Sequence, residues 1–591
     1  MKFFFRVIER WTLPTLISVS LILFFLTVGE KMGAGLAANP VEAGVQALTL
    51  DSAETGFTLY MNFVINLTFL WAALKVIMAS VGLKLDNLLV KKFSSSHILI
   101  VSGFSWRSEI CDTDGFSNLG LALDLAISAS KKNNVVIVLP QLEEDQRSVL
   151  WEKGVKVVTH QGAPTEILKA AGISRADVIF AVCDDPFDNI TLCRAALSPA
   201  TENQDLQARC LIEPLSLKQS IASEEYFEER SLNRLRLLNQ SELFARKVLS
   251  EFPPDLSMAN AEQRVHVLLF GMTSITEAMI LQLARIGHYK NNQRPKLTII
   301  GVDDESRLLK LNNHYPSLPQ WLEVVHEDFN EGEISAVALS KLLDDRDAPI
   351  AGYITGLDEI GNLRITKMLL SALRMVSERG NFDNFQVIAI DPPGGTVLSD
   401  FFMYGEYENN AGVFSLSGKY GENANSVIAG NLLSDLDDRV SKEIHEAYRK
   451  KDLDELKRNP AHKLHPNSLE WSALPETIRD ANRAVADHLE VKLRAISYQL
   501  TNSKEVVDVE LMQDEIEILA IMEHRRWWAD RSLSGWKFSE VRDDIKRHHP
   551  NMVPYESMSE ADKQKDRDSV LKIIDIAKQG GMKLTRMNKI T

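Results

Sequence analysis

HILIVSG (residues 97–103) begins a series of short apolar runs that decides the fold, continuing with NNVVIVLP (133–140), VKVVTH (155–160) and ADVIFAV (176–182). β-branched residues dominate these runs, and polar segments long enough for helices separate them. Buried strands that alternate with helices are typical of an α/β domain with a parallel sheet. The pattern predicts one such domain over residues 96–250.

The same pattern restarts further along the chain and predicts a second α/β domain over residues 262–430. Its runs are RVHVLLFG (264–271), KLTIIGVDDES (296–306), APIAGYITGLDEIGN (348–362) and FQVIAIDPPGG (385–395). Two Rossmann-like domains in tandem are therefore expected.

Neither copy keeps a complete dinucleotide fingerprint, which needs closely spaced glycines and an acidic residue after the second strand. In the first copy an insertion follows Gly103, and Pro140 stands where the acid is expected. In the second, Gly271 and Asp303 remain as candidates for a nucleotide or cation site, and a scaffold without nucleotide is the alternative. No nucleophile and base accompany the sheets, and the four scattered cysteines suggest no disulfide or metal site, so we predict no enzyme activity.

Residues 161–197 (QGAPTEILKAAGISRADVIFAVCDDPFDNITLCRAAL) resemble the RCK family, whose first domain is also called TrkA-N. The matching positions are Gly162, Leu168, Ala171, Gly172, Ile173, Ala176 and Asn189. The tandem arrangement over residues 96–391 is similar to the gating rings of ligand-regulated channels. This resemblance implies a homo-oligomer, with a tetramer favoured.

Residues 1–92 contain two apolar segments, 11–30 and 57–83, and a bilayer-spanning helix needs about 20 apolar residues. Each segment is therefore predicted to be a transmembrane helix in contact with membrane lipid. Basic residues precede the first segment and follow the second, which predicts that both termini lie in the cytoplasm of a bacterium. A cleaved signal peptide is the alternative for the first segment.

The second apolar segment carries a stripe of small and amide side chains that would face water if several copies enclosed a pore. The pore-lining candidates are Asn62, Asn66, Ala73 and Ser80. The alternative is that these side chains only pack between helices, as polar residues in membranes often do. The chain lacks a TVGYG filter, so potassium selectivity is not indicated.

Beyond residue 430 the chain becomes a charged amphipathic pattern, and we expect an all-helical domain over residues 441–591. It contains a weak internal repeat, since HPNSLEWSALPETIRDANR (465–483) recurs as HPNMVPYESMSEADKQKDR (549–567). Two such copies predict a pseudo-twofold helical unit.

Residues 523–558 resemble the RyR repeat domain of ryanodine receptors. The matching positions are His524, Trp527, Arg531, Gly535, Trp536, Lys546, His549 and Pro550. This resemblance implies a nucleotide pocket in which Trp527 stacks on a purine and Arg531 meets phosphate.

Trp527 and Arg531 also suit a nucleotide without the resemblance. Residues four apart lie on the same helix face, so these two offer a flat ring beside a planar cation. The other ligand-binding candidates are His524, Trp536, Arg542, Lys546, Asn482, Arg483 and Tyr448. In the first half of the repeat Asp452 replaces the arginine. The alternative is that the tryptophans fill a small helical core.

The formal net charge of −15 argues against a general nucleic-acid binder. We therefore expect a bacterial inner-membrane channel or effector whose RyR-like domain senses a nucleotide or cyclic nucleotide and whose RCK-like ring transmits the signal, with no required cofactor. Bacterial proteins of this combination resemble phage-defence effectors. A non-conducting regulatory or scaffold subunit of an ion transporter is the alternative, and a nucleotide-processing enzyme is a third.

Overall fold

The described part of the chain falls within the compact unit formed by residues 93–591. A computed structural model describes residues 96–104, 118–222, 234–258, 260, 262–301, 305–328, 334–343, 348–355, 359–377, 385–389, 412–415, 429, 436–465, 467–474, 476–501, 510–579 and 583–587. Within these ranges, no helix combines the length and the apolar character that crossing a bilayer requires. The predicted spans 11–30 and 57–83, including Asn62, Asn66, Ala73 and Ser80, lie outside the described residues.

Six parallel strands form the first sheet, in the order β3-β2-β1-β4-β5-β6. They are β1 (His97–Val101), β2 (Val135–Leu139), β3 (Lys156–Thr159), β4 (Ala176–Ala181), β5 (Gln207–Leu211) and β6 (Leu235–Leu238). The helices are α1 (Asn118–Ser130), α2 (Glu144–Glu152), α3 (Pro164–Ala170), α4 (Pro186–Leu197), α5 (Leu215–Ala222) and α6 (Gln240–Glu251). Every residue of β2 is buried, as expected for a strand covered on both faces.

The second sheet repeats this topology in the order β12-β11-β10-β7-β8-β9, again with parallel pairing. Its strands are β7 (His266–Phe270), β8 (Lys296–Gly301), β9 (Glu323–Asp328), β10 (Ala351–Ile354), β11 (Gln386–Ala389) and β12 (Gly412–Ser415). Its helices are α7 (Ser274–Ile286), α8 (Glu305–His314), α9 (Leu318–Trp321), α10 (Ala336–Leu343) and α11 (Glu359–Ser377). The prediction of two parallel Rossmann-like sheets is confirmed, because both have the strand order of the dinucleotide-binding fold.

The C-terminal part is built on four helices, α12 (Leu436–Arg458), α13 (Glu476–Ala495), α14 (Gln513–Leu533) and α15 (Glu560–Gln579). It is not purely helical. β13 (Tyr498–Thr501) pairs antiparallel with β16 (Lys583–Arg586), and β14 (Lys537–Phe538) pairs with β15 (His548–His549). Strands of two to four residues are too short to show the alternation by which a strand is recognised in sequence.

A buried ionic network joins this helical part to both α/β parts. Lys218 of α5 contacts Glu242 of α6 (2.5 Å) and Asp480 of α13 (3.4 Å). Arg285 of α7 in turn contacts Glu242 (3.4 Å) and Asp530 of α14 (3.8 Å). Buried charges are tolerated only with partners, so these pairs define how the three parts pack.

The network continues at Arg483 of α13, which donates to Asp438 of α12 (2.7 Å) and to Asp480 (2.5 Å). Arg236 of β6 approaches the same Asp438 at 3.2 Å. Burial alone would raise the pKa of Asp438, but the Arg483 guanidinium holds it well below its usual range. Asp438 is therefore a carboxylate at neutral pH.

Replacing Lys218 by methionine tests the network. Burial would lower the pKa of Lys218, yet Asp480 and Glu242 raise it, so the wild-type side chain is charged. Lys218→Met leaves both carboxylates short of a cation, and we expect a loss of about 3 kcal/mol in unfolding free energy, measured by urea titration of the purified full-length protein with tryptophan fluorescence. The matched control is Lys457→Met, whose exposed pair with Asp454 should leave the urea midpoint unchanged. Equal midpoints for the two variants would contradict a stabilising network.

Candidate ligand-binding site in the helical repeat

Trp527 and Arg531 lie one turn apart near the C-terminal end of α14, as predicted. The Trp527 ring stacks on His524 from the preceding turn, with centroids 5.8 Å apart and planes at 29°. The edge of His549 from β15 meets Trp527 at 4.8 Å. The two histidines thus hold the indole between a helix and a neighbouring strand.

The end of α14 brings Trp536 back to Arg531. Gly535 has a φ of +83°, and the Trp536 and Gly535 amides donate to the carbonyls of Arg531 and Ser532, both at 3.0 Å. This is a Schellman ending, which favours glycine because L-residues are strained at positive φ. It places the Arg531 guanidinium 5.1 Å from the centre of the Trp536 ring.

Arg531 is a half-buried cation held against aromatic rings, and burial lowers its pKa. Among the described residues, no carboxylate lies within ion-pair distance of its guanidinium. Most of the buried arginines nearby are paired, as Arg526 is with Glu523 at 2.9 Å. A guanidinium in this state has its hydrogen-bond donors available for an external anion.

His549 joins His524, Trp527 and Trp536 in the aromatic group of the site, although the sequence analysis did not include it among the ligand-binding candidates. Its ring also lies 6.3 Å from Trp536. Burial, then the Arg542 and Arg531 cations, lower the pKa of His549 to about 4. The imidazole is therefore neutral at pH 7. Its place in the RyR-like motif was the available signal.

Arg542 and Lys546 lie on the exposed loop between β14 and β15. Arg542 donates to Asp544 at 2.8 Å, and Lys546 lies 3.6 Å from Asp543. Exposed ion pairs of this kind contribute little stability. Neither pair therefore fixes its cation in place, and Arg542 is close enough to act on His549.

The structure shows that the sequence repeat is also a repeat of contacts. In each half a histidine bonds a loop carbonyl, the backbone N–H of an asparagine donates to the turn histidine, and an arginine of the second helix binds two carboxylates at corresponding places, Arg483 binding Asp480 as well. The matched pairs are His445–Leu469 (2.8 Å) with His524–Val553 (2.7 Å), Asn467–His465 (3.2 Å) with Asn551–His549 (3.1 Å), Arg483–Asp438 (2.7 Å) with Arg567–Glu517 (2.5 Å), and Arg483–Glu476 (2.6 Å) with Arg567–Glu560 (2.5 Å).

The halves differ where Trp527 and Arg531 correspond to Tyr448 and Asp452. The Tyr448 hydroxyl bonds Ser569 at 2.5 Å, and Lys572 covers its ring at 4.9 Å. Asp452 of α12 accepts hydrogen bonds from the loop that follows this helix. The donors are His462 Nε2 at 2.6 Å, the His465 backbone N–H at 2.8 Å and the Ser468 hydroxyl. In the first half, the hydrogen-bonding groups of Tyr448 and Asp452 are therefore occupied by contacts within the repeat itself.

Other predicted ligand-binding residues have partners of their own. Arg483 is buried and bound by carboxylates of the ionic network, and Asn482 donates to the Ile478 carbonyl at 2.8 Å. His524 donates to the Val553 carbonyl, and its Nδ1 lies 3.3 Å from Asp566. The partners of Arg483, Asn482 and Tyr448 in the described part of the chain do not include Trp527 or Arg531.

The α/β parts show less of a binding site. At the crevice of the first sheet, Asn189 bonds the Cys183 amide (2.7 Å) and the Leu211 carbonyl (3.0 Å), so its donors and acceptor are used internally. In the second sheet, Gly271 (φ +82°) ends β7, and its carbonyl accepts from Thr276 at 2.7 Å. Asp303 lies outside the described residues. The described histidines, cysteines and carboxylates form no group that would hold a metal.

The electrostatics of the site are tested by replacing Arg542 with glutamine. Because burial and two nearby cations disfavour the imidazolium, removing one cation should raise the pKa of His549 from about 4 toward 6.5. The measurement is an NMR titration of ¹³C-labelled histidines in the full-length protein, with the signal assigned by its loss in His549→Gln. Lys457→Gln serves as a distant control. An unchanged His549 pKa in Arg542→Gln would show that this cation does not act on the site.

Comparison with known proteins supports both resemblances. Residues 504–586 match the RyR domain, and residues 115–209 match the TrkA-N domain. Similar solved structures include GsuK bound to ADP (15% identity, 74% of this chain and 99% of that chain, TM-score 0.34) and the GsuK channel bound to NAD (14%, 73% and 83%, 0.35). A dipicolinate synthase structure from Bacillus halodurans is a third (11%, 58% and 97%, 0.21). These TM-scores are too low to establish anything further, and the two domain matches establish that the chain contains a TrkA-N domain and a RyR domain.

Proposed function

We propose that this protein is a nucleotide-responsive membrane effector, with its sensor at Trp527 and Arg531 in the RyR domain. The proposal rests on Arg531, whose half-buried guanidinium lies against the Trp536 ring. Among the described residues, no carboxylate is paired with it. A phosphate group supplies the charge that this arginine lacks. The adjoining indole of Trp527 supplies a surface on which a base stacks.

The basic character of this region supports an anionic ligand within a chain of net charge −15. The Arg542 and Arg531 cations both act on the neutral His549, and two cations at one site favour an anionic ligand. At the position that corresponds to Arg531, the first half of the repeat carries the carboxylate Asp452 instead of a cation. The proposal therefore assigns one ligand to each chain.

Contacts of α14 with the second α/β part connect the proposed site to the α/β tandem. Trp528, next to Trp527, meets Trp321 of α9 edge to face at 5.4 Å. The Trp321 indole N–H donates to the Ser532 hydroxyl at 2.8 Å, one residue beyond Arg531. Asp530 approaches Arg285 of α7. A shift or rotation of α14 on ligand binding thus acts directly on the second α/β part.

Ligand binding changes the state of the tandem only if the ligand prefers one arrangement over another. In this proposal the preferred arrangement alters the two apolar segments 11–30 and 57–83, which form transmembrane helices of a homotetrameric channel in the bacterial inner membrane, with both termini cytoplasmic. Asn62, Asn66, Ala73 and Ser80 then line the pore. Such an effector suits phage defence, in which a nucleotide signal triggers a membrane response.

Binding is tested by calorimetry of the full-length protein in detergent with AMP, ADP, ATP, cyclic AMP and cyclic di-AMP. We expect at least one of them to bind with one site per chain. Arg531→Ala and Trp527→Ala should each weaken that binding by about tenfold or more, because a charged hydrogen bond or a stacked ring is lost. Trp151→Ala, which removes an exposed indole of α2, is the control. Full affinity in both site variants would rule out this site.

The output is tested by ion flux from liposomes that contain the full-length protein. The nucleotide that binds best is expected to change the flux, Trp527→Ala should abolish that response, and the control Trp151→Ala should keep it. Absence of flux with every nucleotide of the panel would favour the alternative, a non-conducting regulatory subunit of a transporter. Product analysis after incubation with each nucleotide checks our proposal that the protein performs no nucleotide turnover.

A further inference from the structure

The loop between β14 and β15 contains an ion pair beside the proposed phosphate position. Arg542 Nε donates to Asp544 Oδ1 at 2.8 Å, and its Nη2 donates to Oδ2 at 3.3 Å. The two residues are separated by a single position, so the loop itself supplies both charges. A carboxylate bound by two guanidinium N–H groups presents the same oxygens that a phosphate would.

Asp544 lies close to two arginines of the second half of the repeat. Its hydrogen bond to Arg542, with a smaller contribution from the charge of Arg531, lowers the pKa of Asp544. Arg542 and Arg531 also act together on His549, which contacts Trp527. Arg542 and its carboxylate are therefore close to the aromatic group of the site.

In the first half of the repeat, the carboxylate near this position lies on the helix instead of the loop. There a helix carboxylate, Asp452, is bound by a loop histidine, His462, at 2.6 Å. In the second half the helix carries the cation, Arg531, and the loop carries the carboxylate, Asp544. Each half thus contains a carboxylate of its own near this position, but only in the second half is that carboxylate on an exposed loop.

We propose that the Asp544 carboxylate and a phosphate group of the ligand bind the same N–H groups of Arg542. The carboxylate and the nucleotide then compete for one guanidinium. The inference rests on the proposed nucleotide site and adds a residue that sets its affinity. The Asp544 and Arg542 side chains are 58% and 48% exposed, so the pair is weak and a phosphate displaces the carboxylate readily.

Asp544→Asn tests the competition by keeping the shape of the side chain and removing its charge. Calorimetry of the full-length protein with the same five nucleotides should show binding about twofold to fivefold tighter than wild type at low salt, which is the range of exposed ion pairs. The gain should shrink at high salt because screening already weakens the pair. Asp543→Asn is the matched control, since it removes the same charge from the same loop but its partner is Lys546.

A double-mutant cycle separates competition from a general charge effect. In Arg542→Gln, the further change Asp544→Asn should bring no gain, because there is no guanidinium to release. The inference alone is overturned if wild type binds and Asp544→Asn binds equally, if Asp543→Asn gives the same gain, or if the gain persists without Arg542. Absence of binding in wild type and in Asp544→Asn would overturn the proposed function with it.

Discussion

A buried ionic network centred on Lys218, Glu242 and Asp480 constrains how the two α/β parts meet the helical repeat. A charge removed from water needs an opposite charge at close range, and these pairs satisfy that need only in one relative placement of α5, α6 and α13. Arg285 extends the same requirement to α7 and to Asp530 of α14. The helix that carries the proposed site is thereby held by the tandem that it is proposed to control.

Within that constraint, α14 serves two surfaces with neighbouring residues. Trp527 contacts His549 and Arg531 contacts Trp536, and both belong to the proposed site. Trp528 and Ser532 instead contact Trp321 of the second α/β part. Because a helix is rigid over one turn, displacement at one surface is transmitted to the other. In the proposed function, sensing and transmission would therefore share this one helix.

The pseudo-twofold repeat explains why one half is proposed to bind and the other to support. Equivalent contacts of His445 and His524 show that the two halves kept the same framework, and the paired arginines Arg483 and Arg567 bind carboxylates in the same way. The halves differ at two neighbouring positions, where Tyr448 and Asp452 in the first half correspond to Trp527 and Arg531 in the second. The proposed site therefore belongs to the second half alone.

The two parallel sheets, the helical repeat and the shared helix face of Trp527 and Arg531 could be predicted from the sequence, because each follows from periodicity or spacing within a short segment. Three contacts became visible only in the folded chain: the carboxylates bound to Arg483, the place of His549 in the aromatic group, and the meeting of Trp321 with α14. Those facts depend on side chains from segments far apart in the chain. Local sequence patterns specify which faces are apolar or charged, and long-range packing specifies which faces meet.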